Sequence, residues 1–230
     1  MEPEDPGILM KFNPNGPLMQ FLTKIANLMI LNILFLLCCI PVVTIGASWT
    51  ALFYVAMKMV DDRQGSITKD FFHAFRQNLR QATILWFGVV ALTALLYVDF
   101  RILAGLQTPG ASVIRILLYV LSAIFFMILQ YLFPWLAKFE TTTRDAVKNS
   151  ALAAIGNLPK TILMCIFAII PVRFTLINDY TMLSGVFAWL MMAFALIAVA
   201  DSCLLNKIFA KYIPASENKT SDAVYKENIE

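Results

Sequence analysis

Long runs of apolar residues, separated by short polar stretches, dominate the chain. A helix needs about 20 apolar residues to cross the roughly 30 Å hydrocarbon core of a bilayer. Runs close to that length cover 25–45, 83–103, 113–137, 161–177 and 182–200, and a shorter apolar run covers 47–60. The pattern predicts an all-α protein, a polytopic transmembrane helix bundle that forms a single domain over 1–213.

The positions of Lys and Arg predict the direction of the spans, because these residues accumulate in cytoplasmic loops. All but three of the 18 basic residues lie near the chain ends or in the stretches 58–80 and 138–160. The exceptions, Arg101, Arg115 and Arg173, flank short turns that we therefore place outside. Six spans with both termini in the cytoplasm fit this distribution. If 47–60 only continues the first span, five spans remain and the N-terminus lies outside.

The polar stretch after the second span has a helical pattern of its own. Apolar residues recur on one side and basic residues on the other, which predicts an amphipathic cytoplasmic helix near 67–82. Two interpretations stay open: an anchor at the lipid surface, or a docking helix for a partner protein. The candidate docking residues are Phe71, Phe72, Phe75, Arg76 and Arg80. The polar tail 214–230 lacks a hydrophobic period and is expected to be disordered.

Composition agrees with a lipid environment. The chain is 60% hydrophobic and 14% charged, whereas a soluble domain has about 45 to 50% apolar and about 25% charged residues. The net charge of +3 is small and scattered, so no nucleic-acid partner is expected. The expected solvent of the spans is the lipid bilayer.

No pattern indicates catalysis. His73 is the sole histidine of the sequence, and Cys38, Cys39, Cys165 and Cys203 all lie inside apolar runs. Metal sites and nucleophilic triads therefore lack their usual residues, and no Gly-rich phosphate loop is present. We expect no enzymatic activity, no cofactor and no metal.

Charged residues near the predicted outer ends of the spans form the second candidate site. They are Asp99, Arg101, Arg115, Arg173 and Asp179. Together they would line an outer vestibule that attracts an anionic ligand. Interface anchoring and mutual ion pairs are the alternative, since charges close to span ends reach water at little cost.

Several motifs resemble the YesL family of small bacterial membrane proteins. They are Phe12-Asn13-Pro14-Asn15-Gly16-Pro17, the segment from Asn32 through Cys39-Ile40-Pro41-Val42-Val43-Thr44-Ile45-Gly46-Ala47, Thr50-Ala51-Leu52, and Phe71-Phe72-x-x-Phe75-x-x-Asn78. The resemblance extends from Lys11 to Tyr212 and is clearest in the first eighty residues. It implies a multi-pass protein of the bacterial plasma membrane, associated with carbohydrate ABC uptake systems, and it carries no established site residues.

Two functions follow as expectations. The first is an accessory membrane protein of a carbohydrate uptake system, which binds ABC transporter permease subunits. The alternative is a permease-like subunit or a small transporter with a sugar ligand of its own, because 145–159 loosely resembles the coupling loop of ABC permeases.

Overall fold

The computed structural model describes residues 17–63, 65–105 and 109–212, and within these ranges the chain is helical and contains no strand. The α-helices are α1 (Pro17–Cys39), α2 (Ile45–Val60), α3 (Ile67–Ala104), α4 (Pro109–Lys138), α5 (Thr143–Gly156), α6 (Leu158–Thr175), α7 (Asp179–Ala188) and α8 (Phe194–Phe209). A 3-10 turn, Val42–Thr44, precedes α2, and a π-helical turn, Trp189–Ala193, joins α7 to α8.

Six helical segments of the described ranges are long and apolar enough to cross a membrane. They are Met19–Cys39, Val42–Val60, Ile67–Ala104, Gly110–Lys138, Leu158–Thr175 and Asp179–Phe209. The predicted all-α bundle with six spans is confirmed, and the chain is a multi-pass membrane protein. An even number of spans places the start of the first span and the end of the last span on the same side of the membrane. That this side is cytoplasmic stays a prediction from charge. The predicted tail 214–230 lies outside the described residues.

The short second span is the one most enclosed by protein. More than half of its apolar window, 56%, is buried, and α2 packs between α1, α3, α4 and α8. The hydroxyl groups of Ser48 and Thr50, both fully buried, donate to the carbonyl oxygens of Thr44, in the preceding 3-10 turn, and Gly46, each at 3.0 Å. Protein neighbours therefore allow α2 a lower mean hydropathy than a lipid-facing span needs.

The sequence between α1 and α2 builds a tight turn. Pro41 cannot donate a backbone hydrogen bond, so α1 ends before it. The Thr44 hydroxyl lies 2.7 Å from the Cys38 carbonyl oxygen and closes the turn. A Cβ at Gly46 would lie 2.6 Å from the Ala82 carbonyl oxygen. Glycine is therefore required where α2 crosses α3.

The structure differs from the sequence expectation at α3. An interfacial helix near 67–82 and a separate span 83–103 were expected, but one continuous helix, Ile67–Ala104, contains both. Its 38 residues correspond to about 57 Å, about twice the thickness of the hydrocarbon core. The charged first half therefore extends out of the hydrocarbon core on one side of the membrane.

Polar contacts join the helices at the end of the bundle marked by Asp61. The Asp61 carboxylate accepts a hydrogen bond from Asn206 Nδ2 at 2.7 Å, and Lys138 Nζ lies 4.0 Å from it. Lys58 Nζ lies 2.9 Å from Asp70, which connects α2 to α3. Asp61 therefore has a structural role, because it joins α8 and α4 to the end of α2. The stretch 138–160 contributes α5, a helix that the sequence analysis did not predict, packed on α4.

Candidate functional site

A cavity of about 380 Å³ lies between α2, α4, α6 and the α7–α8 segment. Its walls are mostly apolar and include large aromatic side chains: Trp49, Phe53, Phe126, Trp189 and Phe194. Polar groups enter from three different helices: Gln130 from α4, Arg173 from α6 and Asp201 from α8. This combination of an apolar wall and a few convergent polar groups is typical of small-molecule sites.

Asp201 is the most unusual side chain of the cavity. It is 2% exposed, and its Oδ1 atom is buried without a hydrogen-bond partner in the described part of the protein. It lies two helical turns before the end of α8 at Phe209, which corresponds to a depth of about 12 Å along the helix. Carboxyl groups inside membrane spans are rare, and those that occur are typically functional.

Gln130 and Arg173 complete the polar set. The Gln130 Nε2 atom is also buried and lacks an acceptor among the described residues. Arg173 lies near the end of α6, and although it and Asp201 line the same cavity, no ion pair within 4.0 Å joins these two described residues. Arg173 therefore does not neutralise the Asp201 carboxyl group by direct contact.

The π-helical turn positions the aromatic wall. Asn32 of α1 is fully buried, and its Nδ2 donates to the carbonyl oxygens of Trp189 and Leu190 at 3.0 and 2.9 Å. Its Oδ1 accepts a hydrogen bond from the backbone N–H of Ala195 at 3.1 Å. One side chain thus bonds to three backbone groups in and beside the π-turn. Such turns occur frequently at functional sites.

The ring of Trp189 is held in place by two further contacts. Its Nε1 donates to Thr175 Oγ1 at 3.0 Å, and its ring centroid lies 4.7 Å from that of Phe194. Phe194 packs in turn on Phe35 of α1, with centroids 5.2 Å apart. These contacts fix the orientation of the Trp189 ring in the cavity wall.

The predicted docking residues do not share one surface. Phe71 is fully buried and belongs to the core, and Phe75 is partly buried and packs against it. Phe72 is 37% exposed, and Arg76 and Arg80 are exposed. The docking role therefore stays a prediction for Phe72, Arg76 and Arg80. Phe71 is buried and contributes to core packing instead.

The predicted vestibule residues divide between two hairpins. Asp99 and Arg101 lie on α3 and Arg115 on α4, whereas Arg173 lies on α6 and Asp179 begins α7. Arg115 donates to the Leu103 carbonyl oxygen at 2.9 Å and so connects α4 to α3. Of the five, Arg173 lines the cavity between the helices. The vestibule itself stays a prediction.

Sequence reasoning missed Asp201 and Gln130. The predicted last span ended at Ala200, one residue before the carboxyl group, although apolar residues resume at Cys203 and continue to Phe209. Gln130 was a polar residue inside the apolar run 113–137. Both signals were present in the sequence, but only the fold shows that the two side chains line one cavity.

Comparisons with known proteins agree with the motifs. The family model described as "Protein of unknown function, DUF624" matches residues 28–100, which cover the second half of α1, all of α2 and most of α3. "Uncharacterized protein YesL" of Bacillus subtilis (strain 168) is 28% identical over 147 residues, which cover 64% of this chain and 69% of that protein. No solved structure matches. Together the two matches confirm the predicted resemblance of this chain to a YesL-like family of uncharacterised proteins.

Proposed function

We propose that the protein is an accessory membrane protein of a carbohydrate uptake system and that it binds ABC transporter permease subunits through the first half of α3. The association with carbohydrate uptake is what the YesL-like resemblance implies. The single structural observation that supports docking is an exposed aromatic and basic groove on α3. The role is non-enzymatic.

The groove, which we call the α3 groove, is open on the side of the helix that faces away from α2. It is lined by Thr68, Lys69, Phe72, His73, Arg76 and Gln77. The opposite side of this half-helix, with Phe71 and Ala74 fully buried, packs into the core. Aromatic and Arg side chains contribute most of the binding energy in protein interfaces. A partner with an acidic, partly apolar surface would therefore complement the groove.

The length of α3 supports a protein partner over a purely lipid contact. Since the helix is about twice as long as the hydrocarbon core is thick, its charged half extends out from the apolar half that contains Ile84 and Phe87. Both of these side chains are more than half exposed and face lipid. The α3 groove is thus accessible to a neighbouring protein.

Affinity purification of a tagged protein from detergent-solubilised membranes tests the proposal. We expect permease subunits of a carbohydrate ABC importer in the eluate, and their own tagged forms should retrieve this protein. The double variant Phe72→Ala, Arg76→Ala should lose most of the association. Phe87→Ala, which removes an exposed aromatic ring from the other half of α3, is the matched control. Retention by the folded double variant, or absence of permease subunits from the wild-type eluate, contradicts docking through α3.

The cavity favours a second candidate function, a permease-like subunit or a small transporter in its own right. Its polar groups come from three different helices, as expected for a solute site at membrane depth. Proteoliposomes containing the purified protein distinguish the two functions. Uptake of labelled sugar by these vesicles, with or without an added ATPase, supports transport; its absence in both cases leaves the accessory role as the better account.

A further inference from the structure

The cavity contains polar atoms that the fold itself leaves unsatisfied. Oδ1 of Asp201 and Nε2 of Gln130 are both buried without partners among the described residues. Buried polar atoms without a partner destabilise a protein, and native structures contain few of them. Each such atom therefore requires an explanation, and these two belong to residues that line the same cavity.

The two atoms require opposite chemistry from an occupant. A carboxyl oxygen needs a hydrogen-bond donor, whereas an amide Nε2 needs an acceptor. Arg173 adds further donors at the same cavity. A hydroxyl group both donates and accepts, so a molecule with several hydroxyl groups satisfies all three side chains.

Charged occupants fit less well. An organic cation would satisfy Asp201 and the aromatic rings, but it would leave Gln130 Nε2 without an acceptor and would approach Arg173 with the same charge. An anion would satisfy Gln130 and Arg173, but it would face the Asp201 carboxyl group. A lining with one carboxyl group and one guanidinium group thus favours a neutral molecule.

The walls and the size agree with this chemistry. The cavity volume of about 380 Å³ lies within the range of roughly 300 to 1,000 Å³ that is usual for small-molecule sites. Trp49 and Trp189 provide broad planar surfaces against which the C–H faces of a sugar ring pack while its hydroxyl groups point outward. Trp189 is held by a hydrogen bond to Thr175, so its side chain loses little conformational entropy when a ligand binds.

We propose that the cavity binds a small, neutral polyhydroxylated molecule. Asp201 accepts hydroxyl hydrogens, Gln130 and Arg173 donate to hydroxyl oxygens, and Trp49 and Trp189 pack against the carbon skeleton. The inference requires neither the docking role of the α3 groove nor transport. If docking or transport fails in its own test, ligand binding by the purified protein is still tested independently.

Tryptophan fluorescence of the full chain in lipid nanodiscs tests the inference, because two of the four Trp residues line the cavity. Glucose, maltose and sorbitol are the probes, and choline and acetate represent the charged alternatives. We expect a saturable change with at least one neutral probe. Asp201→Asn and Gln130→Leu should each weaken binding at least about tenfold. Asp62→Asn, which changes an exposed carboxylate at the Asp61 end, should leave it unchanged.

The opposite results are equally defined. The proposal is overturned if no neutral probe gives a saturable change up to about 10 mM, a concentration that detects even millimolar affinities. It is also overturned if choline or acetate binds instead, or if both folded cavity variants bind the neutral probe as the wild type does. A lipid acyl chain seen in the cavity of a nanodisc structure would assign the space to the bilayer.

Discussion

Two sets of polar residues inside the bundle differ in their hydrogen bonding. On the side of α1, α2 and α3, buried Asn32, Ser48 and Thr50 all have hydrogen-bond partners. On the side of α4, α6 and α8, Asp201 and Gln130 face a cavity without partners among the described residues. The first set completes the fold, whereas the second set leaves bonds for a molecule that the fold does not supply.

Close packing follows the same division. Gly46 brings α2 against the backbone of α3 at Ala82, while α6 lies apart from α2 across the cavity. A protein that binds a ligand between its helices needs a rigid part that fixes the others. The α1–α2–α3 side provides it, and this is the part that the DUF624 model matches.

The largest effect is expected at Gly46. An alanine Cβ there would lie 2.6 Å from the Ala82 carbonyl oxygen and 2.8 Å from Trp86 Cβ. Gly46→Ala should therefore destabilise the protein by about 1–3 kcal/mol, measured as the free energy of unfolding in an SDS titration. Gly88→Ala is the matched control, because a Cβ there meets nothing within 4 Å. It should be neutral or stabilise the helix by up to about 1 kcal/mol. Equal effects would refute the close approach of α2 and α3.

Asn32 is expected to come next. Asn32→Leu removes the hydrogen bonds to Trp189, Leu190 and Ala195 and leaves their buried backbone groups without these bonds. We expect a loss of about 1–3 kcal/mol in the same titration. Asn78→Leu is the control, since the Asn78 Nδ2 donates to the Ala74 carbonyl oxygen within its own helix and so joins no second helix through that bond. A loss at position 78 as large as at 32 would contradict the special role of Asn32.

The smallest effect concerns the ion pairs of the Asp61 end. Lys58 and Asp70 lie 2.9 Å apart with side chains 31% and 19% exposed, whereas Lys24 and Asp62 lie 3.9 Å apart and are 63% and 77% exposed. Asp70→Asn should cost about 1 kcal/mol and Asp62→Asn less than about 0.5 kcal/mol. Thermal unfolding in detergent at low and high salt checks the difference. A larger loss for Asp62→Asn would show that burial does not set the strength of these pairs.

Much of the fold was predictable from apolar run lengths alone, because the hydrocarbon core imposes one helix length on every span. The junction inside α3 was not, since the change from an amphipathic to a uniformly apolar pattern near Ala82 looks like a boundary. No Pro or Gly separates Ile67 from Thr83, so the helix simply continues. The weakly apolar α5 gives no hydropathy signal and depends on its contacts with α4.

The candidate site was largely beyond sequence reasoning. Arg173 was identified as a charged residue near a span end, but its neighbours Gln130 and Asp201 are separated from it by 43 and 28 positions. Only helix packing brings them to one cavity. Asn32 was recognised as part of a family-like motif, yet its partners lie more than 150 residues away.

The sign of the stability change at Asp201 tests the division between the two sides most directly. Asp201→Leu replaces an unpartnered carboxyl oxygen beside an open cavity with an apolar group of similar size, so no native hydrogen bond to Oδ1 is lost. Measured in an SDS titration without added ligand, the variant should equal or exceed the wild type in stability, by up to about 2 kcal/mol, while Asn32→Leu loses stability. If Asp201→Leu instead loses as much as Asn32→Leu, the carboxyl group is part of the scaffold and the assignment of a ligand site to this cavity is wrong.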